Sequence, residues 1–161
     1  MGKEIVTPFV NSITGTFETI AKIKPGYSEI TQIDLSDFTN ERDYYSDIAA
    51  VIALPGSKIG SLVVAFESET AINMSSVFLN EPVTEVNAVV KDVVGEIANT
   101  VAGNITVDLE DMHFERALPN IYMGGDKEMT FPPGFVCYSV DFSSDFGPFN
   151  LRVSILEDEN I

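Results

Sequence analysis

The sequence predicts an α/β fold in which a largely antiparallel sheet is covered by long helices. Three observations carry that expectation. Apolar residues recur at helical spacing in three segments, and shorter apolar runs that alternate or stay continuous lie between Gly- and Pro-containing turns. Sustained alternation of strand and helix is missing, which argues against a doubly wound parallel sheet. Helix followed by strands also occurs twice, a sign of internal pseudo-duplication.

The first helix is expected to start at Thr7-Pro8, with Thr7 as cap and proline in the first turn. Phe9, Ile13, Phe17 and Ile20 give its apolar stripe, and "KIKPGY" ends it. "SEITQIDLS" follows as a strand, and Asp37–Asp47 as a polar loop. The runs Ile48–Leu54 and Ile59–Phe66 flank "PGSK" and predict a β-hairpin. Ser68 to Asn80 reads as a second helix through Ala71, Met74 and Phe78, broken at Glu81-Pro82. A third helix is expected from a Thr84 cap to about Glu110, roughly 40 Å at 1.5 Å per residue. The strands "ALPNIYMG", "FVCYSVDF" and "FNLRVSIL" complete the chain, separated by "GGDK", "PPG" and "DFGP", and an acidic "EDEN" tail follows them.

The chain has 161 residues, a length that suits one domain over 1–161 with a sizeable core. Its net charge of −16 repels phosphate backbones and anionic lipid, so neither nucleic acid nor a membrane surface is an expected partner. The apolar runs fall well short of the ~20 residues that span a bilayer, and the N-terminus lacks a signal-peptide pattern; a soluble, cytoplasmic domain is expected. Cys137 is the single cysteine and lies in an apolar run, where a buried, inert thiol is the natural reading. His113 is the single histidine, so no zinc site and no other bound metal are expected.

The third helix is the unusual element. On a wheel of about 100° per residue, Val86, Val90, Val93, Ile97 and Val101 gather on one side as a core stripe. Asp92, Glu96, Asn99 and Gly103 fall within about 60° of one another on the other side, flanked by the small residues Ala88, Gly95 and Ala102. Each interior glycine costs about 1 kcal/mol relative to alanine. Close packing inside the molecule would account for that, and so would room kept for a docking partner. A Glu and an Asn three residues apart on an exposed face are ordinarily just solvated.

The residues "DVVGEIANTVAGN" (Asp92–Asn104) resemble the signature helix of the CheC/CheX/FliY family of chemotaxis phosphatases. That signature is Asp or Ser, three residues, Glu, two residues, Asn, and a proline some twenty residues on, matched here by Asp92, Glu96, Asn99 and Pro119. The preceding "SETAINMSSVFLNEPVTEVN" and the element order over nearly the whole chain agree with the family. In the first helix the corresponding positions are Thr14, Glu18 and Ala21, so the amide is missing and a single-site, CheX-like protein is the better match.

The resemblance implies a CheC-like fold and a phosphatase acting on the aspartyl phosphate of a CheY-like response regulator in chemotaxis signalling. By resemblance, Asn99 positions the attacking water, Glu96 pairs with the regulator's lysine, and Asp92 has a supporting role. Gly95 and Gly103 would keep the ridge low for docking. No cofactor would be bound by this chain, because the Mg²⁺ belongs to the partner regulator. A homodimer is also implied, and "ALPNIYMGG" offers an edge strand for it. The competing expectations are a non-catalytic module that binds a regulator or a flagellar-switch component, and a structural dimer.

Overall fold

The computed structural model describes residues 2–33, 47–54, 59–108, 118–123 and 135–156. Three helices, α1 (Gly2–Ala21), α2 (Ser68–Leu79) and α3 (Ala88–Asp108), accompany the strands β1 (Gly26–Tyr27), β2 (Thr31–Ile33), β3 (Ile48–Ala53), β4 (Ile59–Phe66), β5 (Asn120–Met123), β6 (Phe135–Ser143) and β7 (Phe149–Leu156). The strands form one sheet in the order β1-β6-β7-β4-β3-β5, with β2 also paired to β6. Every pairing is antiparallel. The expected fold class is the observed one.

Alternation along the central strands builds the core. Phe149, Leu151, Val153 and Ile155 of β7 are buried on the face that carries the helices, as are Leu62, Val64 and Phe66 of β4. The intervening residues Ala49, Val63 and Ala65 form a smaller cluster on the opposite face. Ser61 and Ser154 are hydrogen-bonded there at 3.1 Å, and the Asn150 amide donates to Ser139 Oγ and Asp141 Oδ1 at 2.9 and 2.8 Å. Cys137 is a free, fully buried thiol in β6. Burial pushes it up from 9.0 to about 11, and the Arg152 charge pulls partly the other way. Cys137 should therefore resist alkylation by iodoacetamide at pH 8 in the folded protein and react promptly in denaturant, as mass spectrometry would read. Because its folded pKa is raised, its neutral-thiol contribution to stability is complete below pH 9 and is lost as pH rises through about 11.

Topology bears out the duplication. α1-β2-β3-β4 and α3-β5-β6-β7 repeat one pattern, with β4 and β7 side by side at the centre. The first strand of each half pairs with the other half, β2 on β6 and β5 on β3. α1 and α3 lie together over the sheet and pack closely: Ser12 Oγ donates to the Val101 carbonyl at 3.0 Å, and Asn104 Nδ2 to Thr16 Oγ1 at 3.5 Å.

Helix boundaries need two corrections. α1 begins at Gly2 rather than at a Thr7 cap, with Pro8 inside it. Proline forfeits one hydrogen bond near the helix start, while burial of Val6 beside Phe9 and Val10 extends the apolar stripe into that turn. α3 begins at Ala88, because Asn87 Oδ1 accepts the Val89 and Val90 N–H groups at 3.0 and 3.2 Å and is the cap in place of Thr84. α2 matches expectation. Asn80 ends it in the left-handed conformation (φ 54°), and Asp47 Oδ2 accepts the Ser68 N–H at 2.7 Å at its start.

The β6–β7 connection docks on α2. Thr70 Oγ1 donates to the Pro148 carbonyl at 2.9 Å and Asn73 Nδ2 to the Phe146 carbonyl at 3.0 Å. Gly147 has φ +127°, and a Cβ there would collide with Thr70 Oγ1, so glycine is required for this approach. The "PGSK", "GGDK" and "PPG" turns, most of the 37–47 loop, His113, the expected end of α3 at Glu110 and the "EDEN" tail lie outside the described residues.

Candidate functional site

α3 is held from two sides, and the signature residues lie on the arc between them. On one side is α1, through Ser12 and Thr16. On the other is the start of β5: a Cβ on Gly95 would sit 3.6 Å from Ile121 Cδ1 and 3.9 Å from Pro119 Cγ. The buried side of α3 carries Val90, Val93, Val94, Ile97, Ala98, Val101, Ala102 and Ile105. Val86, expected in the same stripe, precedes the helix and packs half-buried against the core.

Asp92 and Glu96 are exposed, whereas Asn99 and Gly103 are half-buried. The difference between Glu96 and Asn99 follows from their position around the helix. Asn99 is four residues from Gly95 and so only about 40° from the β5 side, while Glu96 is about 100° from it. The carboxylate stands on the crest and the amide lies lower, toward the wall made by Pro119 and Ile121. The Thr100 hydroxyl donates back to the Glu96 carbonyl at 2.9 Å and stays within its own helix. The exposed Glu96 and the half-buried Asn99 thus lie one turn apart on one arc of a helix anchored on both flanks. Such a pair can donate, accept and carry one negative charge. It contains neither a nucleophile nor a metal cage, and among the described residues no cluster of three or more His, Cys, Asp or Glu could hold a metal ion.

The structure answers which explanation the small residues support. Ala102 is buried, and Gly95 faces Pro119 and Ile121 of the same chain. Packing within the molecule therefore accounts for both. An alanine at 95 would make ordinary contact distances, but a longer side chain would have to displace β5. Pro119, read from the sequence as a distant member of the signature, lies across from Gly95, the residue before Glu96. Sequence spacing alone had no means of showing that approach, because it depends on β5 pairing with β3 beneath the helix.

The corresponding stretch of α1 is built differently. Glu18 is exposed, as Glu96 is, but Ala21 is the last residue of α1 and Lys22 already turns left-handed at φ 56°. α3, by contrast, runs on from Asn99 to Asp108. Where α3 has Gly95, α1 has Phe17, buried and stacked on Phe149 at 4.9 Å. The duplicated half keeps the carboxylate and lacks the amide.

The comparisons with known proteins bear on family and fold. The family model described as "Chemotaxis phosphatase CheX" matches residues 48–143, more than half of the chain. A curated relative from Thermotoga maritima, "CheY-P phosphatase CheX", is 23% identical over 129 residues, covering 78% of this chain and 79% of its own. The crystal structure of a chemotaxis protein CheX from Desulfovibrio desulfuricans superposes with a TM-score of 0.78 at 25% identity, over 94% of this chain and 99% of that one. A CheX from Borrelia burgdorferi, crystallised as a CheX–CheY–BeF3–Mg²⁺ complex, superposes with a TM-score of 0.76 at 16% identity, over 94% and 97% of the two chains. With its fold shared across these structures and the family model spanning β3 to β6, signature helix included, the chain belongs to the chemotaxis phosphatase CheX family.

Proposed function

We propose that this protein accelerates hydrolysis of the aspartyl phosphate of a CheY-like response regulator, using Glu96 and Asn99. The observation that carries the reading is their placement on one arc of a helix held between α1 and β5, Glu96 exposed and Asn99 half-buried beside it. Family membership and a relative named for CheY-P phosphatase activity support the substrate class. A structural neighbour crystallised with CheY supports the partner.

The reaction breaks the P–O bond of an acyl phosphate, with water as nucleophile and the regulator's carboxylate as leaving group. In this reading the regulator brings the Mg²⁺ and a lysine for the phosphoryl oxygens, so the chain here needs no cofactor. What it adds is placement. The Asn99 amide can hold a water by hydrogen bonding without acting as a base, which suits a loose phosphoryl transition state. The Glu96 carboxylate pairs with the regulator's lysine in a charge-assisted contact that fixes the docking register. Asp92 lies on the same arc and has a supporting role, with Gly103 beside it as part of the docking ridge. Gly95 acts indirectly, by letting β5 come close enough to hold the helix.

The test is phosphate release from a phosphorylated cognate regulator, with and without the protein. Acceleration at substoichiometric protein is the expected result, and binding without acceleration would assign the chain to the non-catalytic modules instead.

The assembly is proposed to be a homodimer. The family resemblance supports it, and β5, which ends the order of the described strands and pairs there with β3, is the candidate for strand addition across a twofold axis. Light scattering at micromolar concentration should give twice 17.6 kDa. A mass of one chain would reject the dimer and leave the proposed catalysis standing.

A further inference from the structure

Among the described residues, large apolar side chains are strongly exposed at Tyr27, Val77, Val89 and Leu118, and two of these border the Glu96–Asn99 ridge. Leu118 is 82% exposed and directly precedes Pro119, whose ring packs across from Gly95. Val89 is 43% exposed in the first turn of α3 and lies about 60° around the helix from Asp92, on the outward arc. A leucine left this open is costly in water, roughly 2 kcal/mol relative to a buried one.

Leu118 is also not loosely placed. Pro119 fixes its own backbone dihedral and restricts the residue before it. Pro119 and Ile121 are seated against α3, and β5 is paired to β3 through Asn120–Met123. The open leucine is therefore carried next to the Pro119 that faces Gly95, on the wall side of the ridge.

We propose that Leu118, with Val89 at the other end, forms an apolar rim that packs against the docked receiver domain of the phosphorylated regulator. This rests on the function proposed above and adds residues that contribute to docking. The occupant follows from position: whatever receives Glu96 and Asn99 must also cover a side chain one residue from the wall of that ridge. Apolar contacts at the margin of a docking surface add buried area to the complex in the ground state and the transition state alike. The rim contributes mainly to binding, so its loss should raise KM and leave kcat nearly unchanged.

Leu118→Asp and Leu118→Ala would be assayed for phosphate release from the phosphorylated cognate regulator, with the mass of each variant measured alongside. The expected result is a KM raised about tenfold for L118D and several-fold for L118A, with kcat within twofold and the oligomeric mass that of the parent. Wild-type acceleration together with unchanged KM in both variants would overturn the rim alone. A variant whose mass falls to a single chain would overturn it by placing Leu118 in contact with a second copy. Absence of acceleration by the parent protein would overturn the proposed function, and the rim with it.

Discussion

Asn99→Ala is expected to lower the catalysed rate of acyl-phosphate loss by about 10²-fold or more while leaving regulator binding within a few-fold of the parent. A hundredfold loss corresponds to about 2.7 kcal/mol of transition-state stabilisation, a reasonable worth for one well-placed hydrogen-bonding group. The change removes only the amide. α3 keeps its anchors, because Ser12 bonds the Val101 carbonyl and Pro119 and Ile121 bear on Gly95, neither through the Asn99 side chain. Glu96→Ala should differ in kind, raising KM and lowering kcat together, since the carboxylate is assigned both docking and register. Single-turnover measurements with each variant separate the two. An Asn99→Ala protein with parental kcat would remove the water-positioning role.

The largest stability effect is expected at Phe149, which lies at the meeting point of the two halves. Its ring is stacked on Phe142 at 4.8 Å and 4° and on Phe17 at 4.9 Å and 17°, and is tilted against Phe66 at 5.4 Å. The three neighbours come from β6, α1 and β4, so truncation here loosens sheet and helix layer at once. Phe149→Ala should cost about 4 kcal/mol, lowering Tm by roughly 10 °C for a chain of this size. Phe149→Leu, which fills most of the volume, should recover more than half of that. Thermal unfolding followed by circular dichroism would measure both, and a drop of under 3 °C for the alanine variant would contradict the assigned packing.

Much of this architecture was legible because its periodicities are strong. The alternation in "FNLRVSIL" places Phe149, Leu151, Val153 and Ile155 on one face, and the structure buries all four there. The α3 stripe and its outward arc were equally readable, since a helix wheel needs no tertiary knowledge. Capping was not, because Thr84 and Asn87 both suit the role and only the path of the chain out of α2 decides between them. β2 falls inside the expected strand "SEITQIDLS", but β1 lies in "KIKPGY", which reads only as the end of the first helix, since short edge strands are defined by their partner β6 rather than by their own pattern. The site divided in the same way. Glu96 and Asn99 were visible as a pair, but the Gly95–Pro119 approach and the exposure of Leu118 arise from a contact between segments far apart in the chain.

The exchange of first strands between the duplicated halves carries a consequence for how the molecule comes apart. β2 belongs to the first half and is hydrogen-bonded to β6, while β5 belongs to the second and is hydrogen-bonded to β3. Neither half can complete its own portion of sheet, so the two are interlocked in the manner of clasped hands. A nick between α2 and α3, near Pro82–Thr84, would leave two fragments that each lack an edge the other supplies. They should remain associated through a native purification, fall apart only when the whole sheet melts, and reassemble on mixing, whereas either fragment alone should stay unfolded. Any ancestral repeat that gave rise to this chain would, by the same geometry, have had to work as a pair.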